Sequence, residues 1–156
     1  MEEKKYAVLI DGDNISSKYL DSILNEMTKY GIATYKRIYC DFTSQQSSKW
    51  RRLVRDSGIQ AMQQFANTVG KNATDSTLII DAMDILYTGN VDGFCIVSSD
   101  GDFTRLAIRL KESGMDVIGM GESKTPRSFR AACTVFTDLE ILYEAESEDD
   151  EISTKG

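Results

Sequence analysis

Short apolar runs alternate with amphipathic stretches along the chain. Residues 7–10 (AVLI) are continuously apolar and predict a strand, whereas residues 16–30 place apolar side chains at helical spacing and stop before Gly31. The alternation continues toward the carboxyl end, and the run GFCIVSS at residues 93–99 is typical of a strand buried on both faces of a sheet. The pattern predicts an α/β domain with a mostly parallel central sheet covered by helices on both faces, a three-layer α/β/α arrangement.

Two of the predicted strands end in nearly identical acidic signatures. VLIDGDN contains Asp11 and Asp13, and CIVSSDGDF contains Asp100 and Asp102. The glycine between each pair of aspartates permits a tight turn, and the carboxyl ends of parallel strands share one edge of the sheet. We therefore expect these carboxylates to face a common space at the edge where open α/β sheets bind ligands.

Further carboxylates lie in the predicted helix that follows residue 74. Asp75 continues the apolar stripe at positions 78, 79, 82 and 86, so it is expected to project toward the sheet at the amino end of the helix. Asp84 should face solvent, and Asp81 is intermediate. Aspartate is also common as a helix cap and in the first helical turn, so capping is the alternative explanation for Asp75 and Asp102.

Several carboxylates in one cleft require a positively charged partner. Two unpaired carboxylates about 4 Å apart repel each other by roughly 4 kcal/mol at an effective dielectric constant of about 20. The chain has no histidine, which excludes Ser-His-Asp and Cys-His catalysis and histidine-based zinc sites. Mg²⁺ or Mn²⁺ needs only oxygen ligands, so the sequence predicts one of these ions at this edge of the sheet.

Negative charge is concentrated at the carboxyl end of the chain. Residues 144–156 carry six carboxylates and one lysine, which accounts for −5 of the net charge of −7. We interpret residues 1–143 as one domain and residues 144–156 as a disordered acidic tail or a truncated linker. Truncation after Tyr143 should then leave stability nearly unchanged. Such an end also fits a piece of a longer protein with further domains.

The composition is typical of a cytoplasmic protein. The hydrophobic content is 41%, no apolar run approaches the roughly 18 to 20 residues of a membrane helix, and the amino end lacks a signal-peptide core. The three cysteines have no C-x-x-C spacing, and two lie in apolar runs, so buried thiols are expected. We expect no membrane partner.

The motifs LIDGDN, KNATDSTLIIDAMDIL, VSSDGDF and GMDVIGMG follow one another along the chain. Together they resemble the NYN domain, in particular its LabA-like branch within the PIN-like nuclease superfamily, over about residues 6–142. The resemblance implies a PIN-like Rossmannoid fold and a metal-dependent ribonuclease that acts in RNA processing or turnover. It implies Asp11, Asp75 and Asp100 as catalytic residues, with Mg²⁺ or Mn²⁺ bound by these three and Asp102. Residues of second rank at the site are Asp13, Asp81 and Ser99.

Positive groups around the acidic cleft would contact RNA, and single-stranded RNA is the expected substrate. The segment GESKTPRSFR follows a predicted strand and is the better placed basic segment. KWRRLVR at residues 49–55 is the denser one, in which Trp50 either stacks on a base or packs inward from an ordinary solvated helix. The expected substrate contacts are Asn14, Lys124, Arg127 and Arg130.

Other functions fit part of the pattern. Asp11-Gly-Asp13 also resembles the nucleophile and acid/base aspartates of haloacid-dehalogenase-like phosphatases, but Ile15 stands where those enzymes carry threonine or serine. A catalytically silent RNA-binding or regulatory module with the same fold is the non-enzyme alternative, and the retention of all four acidic positions argues against it. A homodimer is also compatible with the sequence.

Overall fold

The computed structural model describes residues 3–65 and 76–155. Six strands and six α-helices lie within these residues. None of these helices is long and apolar enough to cross a membrane. The strands are Lys5–Asp11 (β1), Ile32–Cys40 (β2), Gln60–Gln63 (β3), Gly93–Val97 (β4), Asp116–Gly121 (β5) and Val135–Asp138 (β6). The helices are Leu20–Met27 (α1), Ser48–Ser57 (α2), Ser76–Thr88 (α3), Thr104–Glu112 (α4), Arg127–Ala132 (α5) and Leu139–Lys155 (α6).

All six strands are parallel and lie in the order β3-β2-β1-β4-β5-β6. β1 and β4 are therefore the two central strands, with β2 and β3 beyond β1 on one side and β5 and β6 beyond β4 on the other. At such a reversal of strand order, the loops that follow the two strands diverge to opposite faces and leave a crevice at the carboxyl edge. The predicted α/β fold is confirmed, and both acidic signatures follow the strands that flank this crevice.

Alternate side chains of each strand point to opposite faces, and each face is covered by three helices. Val8 and Ile10 of β1 lie on the face of α1, α2 and α6, where they pack with Ile23. Leu9 and Phe94 lie on the face of α3, α4 and α5. Burial of one such side chain contributes roughly 1.5–3 kcal/mol, so the two apolar layers fix the helices on the sheet. The cysteines are buried and unpaired, as predicted: Cys40, Cys95 and Cys133.

The first helix is shorter than the apolar pattern predicts. Within residues 16–30, a 3-10 turn occupies Ser17–Tyr19, and α1 ends at Met27. The chain then turns through Gly31, where a Cβ atom would collide with the carbonyl oxygen of Lys4. Only glycine permits this close approach, so the entry into β2 depends on it.

The carboxyl end differs from the prediction of a disordered tail. The backbone of residues 144–155 continues α6, and Tyr143 packs edge-on against Tyr19 with ring centroids 5.5 Å apart. The buried hydroxyl of Ser22 in α1 donates to Glu146 Oε2 at 2.6 Å. The segment contains no proline or internal glycine, so its sequence allows a helix to continue through it. The observed α6 therefore continues past the predicted boundary at residue 143, and the assignment of residues 144–156 to a separate tail or truncated linker stays a prediction.

Truncation after Tyr143 is now expected to destabilise the protein. Loss of Glu146 leaves the buried Ser22 hydroxyl without its partner, which costs about 1–3 kcal/mol. Urea unfolding of the truncated chain measures this cost. In the full chain, Glu146→Ala should lower the free energy of unfolding, while Glu148→Ala, at an exposed position of the same helix, should not. Equal stability of these two variants would contradict the docking of α6.

Candidate functional site

The carboxylate of Asp11 is the buried centre of the candidate site. The residue ends β1 with 2% of its surface exposed, and its Oδ2 accepts hydrogen bonds from Asn14 Nδ2 (2.9 Å) and Ser98 Oγ (2.8 Å). The register pairs Ile10 with Val97. The next positions along β1 and β4 therefore lie side by side, and the strand order brings two distant segments into direct contact.

Ser98 joins the two acidic signatures. Its hydroxyl donates to Asp11 and accepts the backbone N–H of Asp100 at 3.0 Å. Asp100 Oδ1 in turn accepts the N–H of Asp102 at 2.9 Å and caps the 3-10 turn Gly101–Phe103. One connected set of hydrogen bonds therefore holds Asp11 and Asp100 at the crevice.

Burial makes Asp11 a weaker acid than an ordinary aspartate. Loss of solvent raises its pKa from 3.8 to about 6, the hydrogen bonds from Asn14 and Ser98 oppose this rise, and the charges of Asp13 and Asp100 add to it. Within residues 3–65 and 76–155, no lysine or arginine forms an ion pair with Asp11. A carboxylate in this state is strongly stabilised by a cation placed in the crevice.

The loop after β1 is held in place by Trp50. The indole Nε1 donates to the carbonyl oxygens of Gly12 (3.0 Å) and Ile15 (3.3 Å), and the ring is 3% exposed. The N–H of Gly12 donates to Tyr39 O at 2.8 Å, and a Cβ at Gly12 would lie 2.8 Å from Ile38 Cδ1. Trp50 therefore packs inward and positions the loop that carries Asn14, and base stacking on its ring is not supported.

Asp13 links the same loop to the neighbouring strands. Its Oδ1 accepts the N–H of Asp41 at 3.1 Å, just after β2, and its Oδ2 accepts Gln64 Nε2 at 3.3 Å, just after β3. Both carboxylate oxygens are therefore engaged by the protein. Asp13 lies at the crevice, as expected, but it organises the edge of the sheet.

Asp102 is turned away from the buried centre. It is exposed and lines a groove between α3 and α4 together with Ile79 and Met83. Its backbone N–H, rather than its carboxylate, belongs to the hydrogen-bonded set around Asp11. The carboxylate of Asp102 is therefore not part of the hydrogen-bonded set at the crevice, and its role as a metal ligand stays a prediction.

The acidic residues of the predicted helix have separate positions. Asp81 accepts the hydroxyl of Tyr39 at 2.6 Å and pairs with Arg37 at 3.2 Å, so it fastens α3 to β2. Asp84 is exposed, as predicted. Asp75 lies outside the described residues, and its catalytic and metal-binding roles stay predictions.

Arg130, one of the predicted substrate contacts, is engaged by the protein itself. Its Nε and Nη2 donate to the carbonyl oxygens of Thr125 (3.0 Å) and Ser123 (2.7 Å), and its guanidinium lies over Phe136 at 4.6 Å. These contacts fix the loop after β5 and engage two of the three guanidinium nitrogens. The role of Arg130 as a phosphate contact stays a prediction. Arg127 is exposed at the start of α5.

Two adjoining cavities open at the crevice in the described part of the chain. The smaller one, of about 270 Å³, is lined by Asn14, Ser99, Asp100 and Lys124, among others. The larger one, of about 610 Å³, is also lined by Asn14 and Lys124 and reaches Lys49 of α2. Two of the predicted substrate contacts therefore stand where the cavities meet, beside the acidic centre.

The donor set fits a hard divalent cation. Asp11 and Asp100 offer carboxylate oxygens at the crevice, and the buried one lacks a counterion among the described residues. Over the same ranges, no three acidic, thiol or imidazole side chains are close enough together to hold an ion. Further ligands would come from water, substrate or Asp75.

Ser98 is the site residue that the sequence analysis missed. The predicted residue of second rank was Ser99, whose hydroxyl accepts the N–H of Glu122 at 2.9 Å and ties β4 to β5. The signal was available in the alternation of β4: Ile96 faces the helices that cover Leu9, so the residue two positions later shares the face of Asp11. Using this signal requires the β1–β4 register, which one strand alone does not reveal.

Ser98→Ala should raise the pKa of Asp11 further, because it removes a hydrogen bond that favours the ionised carboxylate. It should also lower the free energy of unfolding by about 1 kcal/mol near neutral pH. A carbon-detected NMR titration of Asp11 and urea unfolding measure the two effects. Ser147→Ala, at an exposed position of α6, is the control. An unchanged titration of Asp11 would show that the hydroxyl does not act on the carboxylate.

Comparisons with known proteins agree with this architecture. The chain is 27% identical to an uncharacterized protein of Methanocaldococcus jannaschii over 125 residues, 76% of this chain and 48% of that protein, so it spans about half of that relative. A crystal structure of a protein of unknown function from Vibrio parahaemolyticus shares the fold, with a TM-score of 0.71 at 19% identity, over 88% of this chain and 93% of that one. The NYN domain family model matches residues 5–140, and this family is of the PIN-like nuclease type. The chain therefore belongs to the NYN domain family.

Proposed function

We propose that this NYN domain is a ribonuclease that hydrolyses RNA phosphodiester bonds with Mg²⁺ or Mn²⁺, in RNA processing or turnover. One observation carries the proposal: the Asp11 carboxyl is buried at the strand-order reversal beside Asp100 and has no basic partner among the described residues. A bound divalent cation would compensate the charge of this carboxylate. The nuclease type of the family supports the reaction class.

Asp11 and Asp100 are the residues that would hold the ion. When bound, the ion supplies a Lewis acid and a water molecule of lowered pKa. Asn14 and Ser98 donate to Asp11 Oδ2, and thereby orient the carboxylate and favour its ionised form. Lys124 lines the small cavity with Asp100, where its ammonium can bind a phosphate. The chain has no histidine, so proton transfer falls to carboxylates and water.

The geometry argues against a haloacid-dehalogenase-like phosphatase. In that mechanism Asp13 would act as the acid/base next to the nucleophile. Here both of its carboxylate oxygens accept hydrogen bonds from the segments after β2 and β3. The side chain is therefore committed to the scaffold, and Asp11 has no neighbouring acid of the required kind on its own loop.

Single-stranded RNA is the proposed substrate. An unpaired strand can bring its backbone to the loop that carries Lys124 and can turn its bases into the adjoining cavities, whereas a duplex keeps its bases stacked.

A panel of three substrates tests the proposed function. Labelled single-stranded RNA, DNA of the same sequence and p-nitrophenyl phosphate are each incubated with the protein and Mn²⁺. We expect RNA to be shortened and no nitrophenol to appear. Release of nitrophenol without RNA cleavage would favour the phosphatase instead. RNA that is retarded on a native gel but stays intact would identify a binding module.

A further inference from the structure

We propose that the larger cavity at the crevice, named here the side cleft, holds the nucleotide next to the scissile phosphate. Lys124 and Lys49 would bind the phosphates at the two ends of this nucleotide. The inference relies on the proposed function for its substrate class, RNA. It adds a specific path for the strand, from the acidic centre toward α2.

The position of the side cleft supports this path. Asn14 and Lys124 line both the small cavity, which contains Asp100, and the side cleft. A phosphate bound beside Asp100 therefore has its neighbouring nucleotide at the entrance of the side cleft. The volume of about 610 Å³ is within the usual range for small-molecule sites, roughly 300–1,000 Å³.

The floor of the side cleft is apolar. It is formed by three buried residues, of which Trp50 also holds the loop after β1: Ile15, Cys40 and Trp50. Gly12 adds a stretch of backbone without a side chain. These residues are almost fully buried, so they shape the bottom of the side cleft, and contacts to a nucleotide would come from its polar rim.

The rim of the side cleft is polar, and its acidic member is Asp13, whose carboxylate oxygens accept hydrogen bonds from the segments after β2 and β3. Ser17 comes from the 3-10 turn before α1, and Gln45 and Gln46 come from the 3-10 turn before α2. None of these three side chains makes a hydrogen bond within the described ranges, so their donors and acceptors are available to a ligand. Hydroxyl and amide groups can pair with base edges and with the ribose 2′-hydroxyl.

Two unpaired cations complete the match to a nucleotide. Lys49 and Lys124 form no ion pair within residues 3–65 and 76–155, and both are exposed. Lys124 lines both cavities, whereas Lys49 lines the side cleft but not the small cavity. Arg130 is held by backbone carbonyls, so a path across α5 has fewer available cations.

Fluorescence anisotropy of a labelled single-stranded RNA tests the path. Binding is measured in chelator over a range of salt concentrations, so that no cleavage occurs. Lys49→Ala should weaken binding by about 5–10-fold at low salt and should reduce the slope of log affinity against log salt by about 0.7. Arg52→Ala is the matched control because Arg52 is exposed on the same helix but does not line the side cleft. It should bind within about twofold of wild type. Lys49→Arg should retain affinity.

The outcomes separate this inference from the proposed function. Wild-type affinity of Lys49→Ala, an equal loss in Arg52→Ala, or no RNA binding by wild type would each overturn the side-cleft path. Cleavage by wild type is scored in parallel with Mn²⁺. A specific loss in Lys49→Ala without any wild-type cleavage would support the path and overturn the ribonuclease function alone.

Discussion

The Asp11→Asn variant is expected to lose RNA cleavage, with kcat at least about 100-fold lower than that of wild type. Asn14 and Ser98 both donate to Oδ2, so an asparagine that places its oxygen there keeps both hydrogen bonds. The substitution therefore removes one negative charge and one metal-binding oxygen with little change in shape. The lost activity would report the chemistry of the carboxylate rather than a change in folding.

Asp84→Asn is the matched control for this variant. Asp84 is exposed on α3, and substitution there should leave cleavage unchanged. Both variants should show cooperative urea unfolding. Normal cleavage by Asp11→Asn in Mn²⁺ would show that the reaction does not use the buried carboxylate.

The second large effect is a change in how stability depends on pH. The pKa of Asp11 is raised from 3.8 to about 6 by burial, so ionisation of this residue opposes folding. The stabilising contribution of the protonated form is fully present below about pH 4 and is lost as pH rises through about 6. The shift corresponds to about 3 kcal/mol. In the absence of divalent ions, Asp11→Asn should therefore become more stable than wild type as pH rises.

Urea unfolding of both proteins in chelator, from about pH 4 to about pH 8, measures this difference. The two stabilities should be similar at the acid end and should diverge by about 3 kcal/mol above the pKa of Asp11. If the free energies of unfolding of the two proteins change with pH in parallel, the burial of the Asp11 carboxyl does not raise its pKa. Saturating Mn²⁺ should narrow the gap, since an ion that binds only the folded wild type stabilises it.

The convergence of Asp11 and Asp100 was predictable from the sequence. Apolar strand runs that end in D-G-D place carboxylates at the carboxyl edge of a parallel sheet, and the strand order then sets both beside the crevice. The same signature did not predict the direction of Asp102. Capping by Asp100 closes a 3-10 turn, and this local hydrogen bond determines where the next side chain points.

Two other features depend on contacts between distant segments. Ser98 meets Asp11 through the pairing of β1 with β4, and Ser22 meets Glu146 through the packing of α1 against α6. The alternation of β4 indicates which face Ser98 shares, but neither contact can be identified without knowing which segments pair. Disorder of the acidic carboxyl end was predicted from its charge content. A charge count does not show which side chains of a helix face the protein, as Glu146 does. The inward packing of Trp50 was one of the two predicted alternatives. Its hydrogen bonds to the loop after β1 could not be predicted from the sequence.

The reversible metal dependence of RNA cleavage tests the central claim most directly. Purified wild-type protein is treated with chelator and assayed on labelled single-stranded RNA, and Mn²⁺ is then added in excess to the same sample. We expect no cleavage in chelator and recovery of cleavage after Mn²⁺ is added, with no recovery for Asp11→Asn. Cleavage that continues undiminished in chelator, or RNA that stays intact in both conditions, would contradict a metal-dependent ribonuclease site at Asp11 and Asp100.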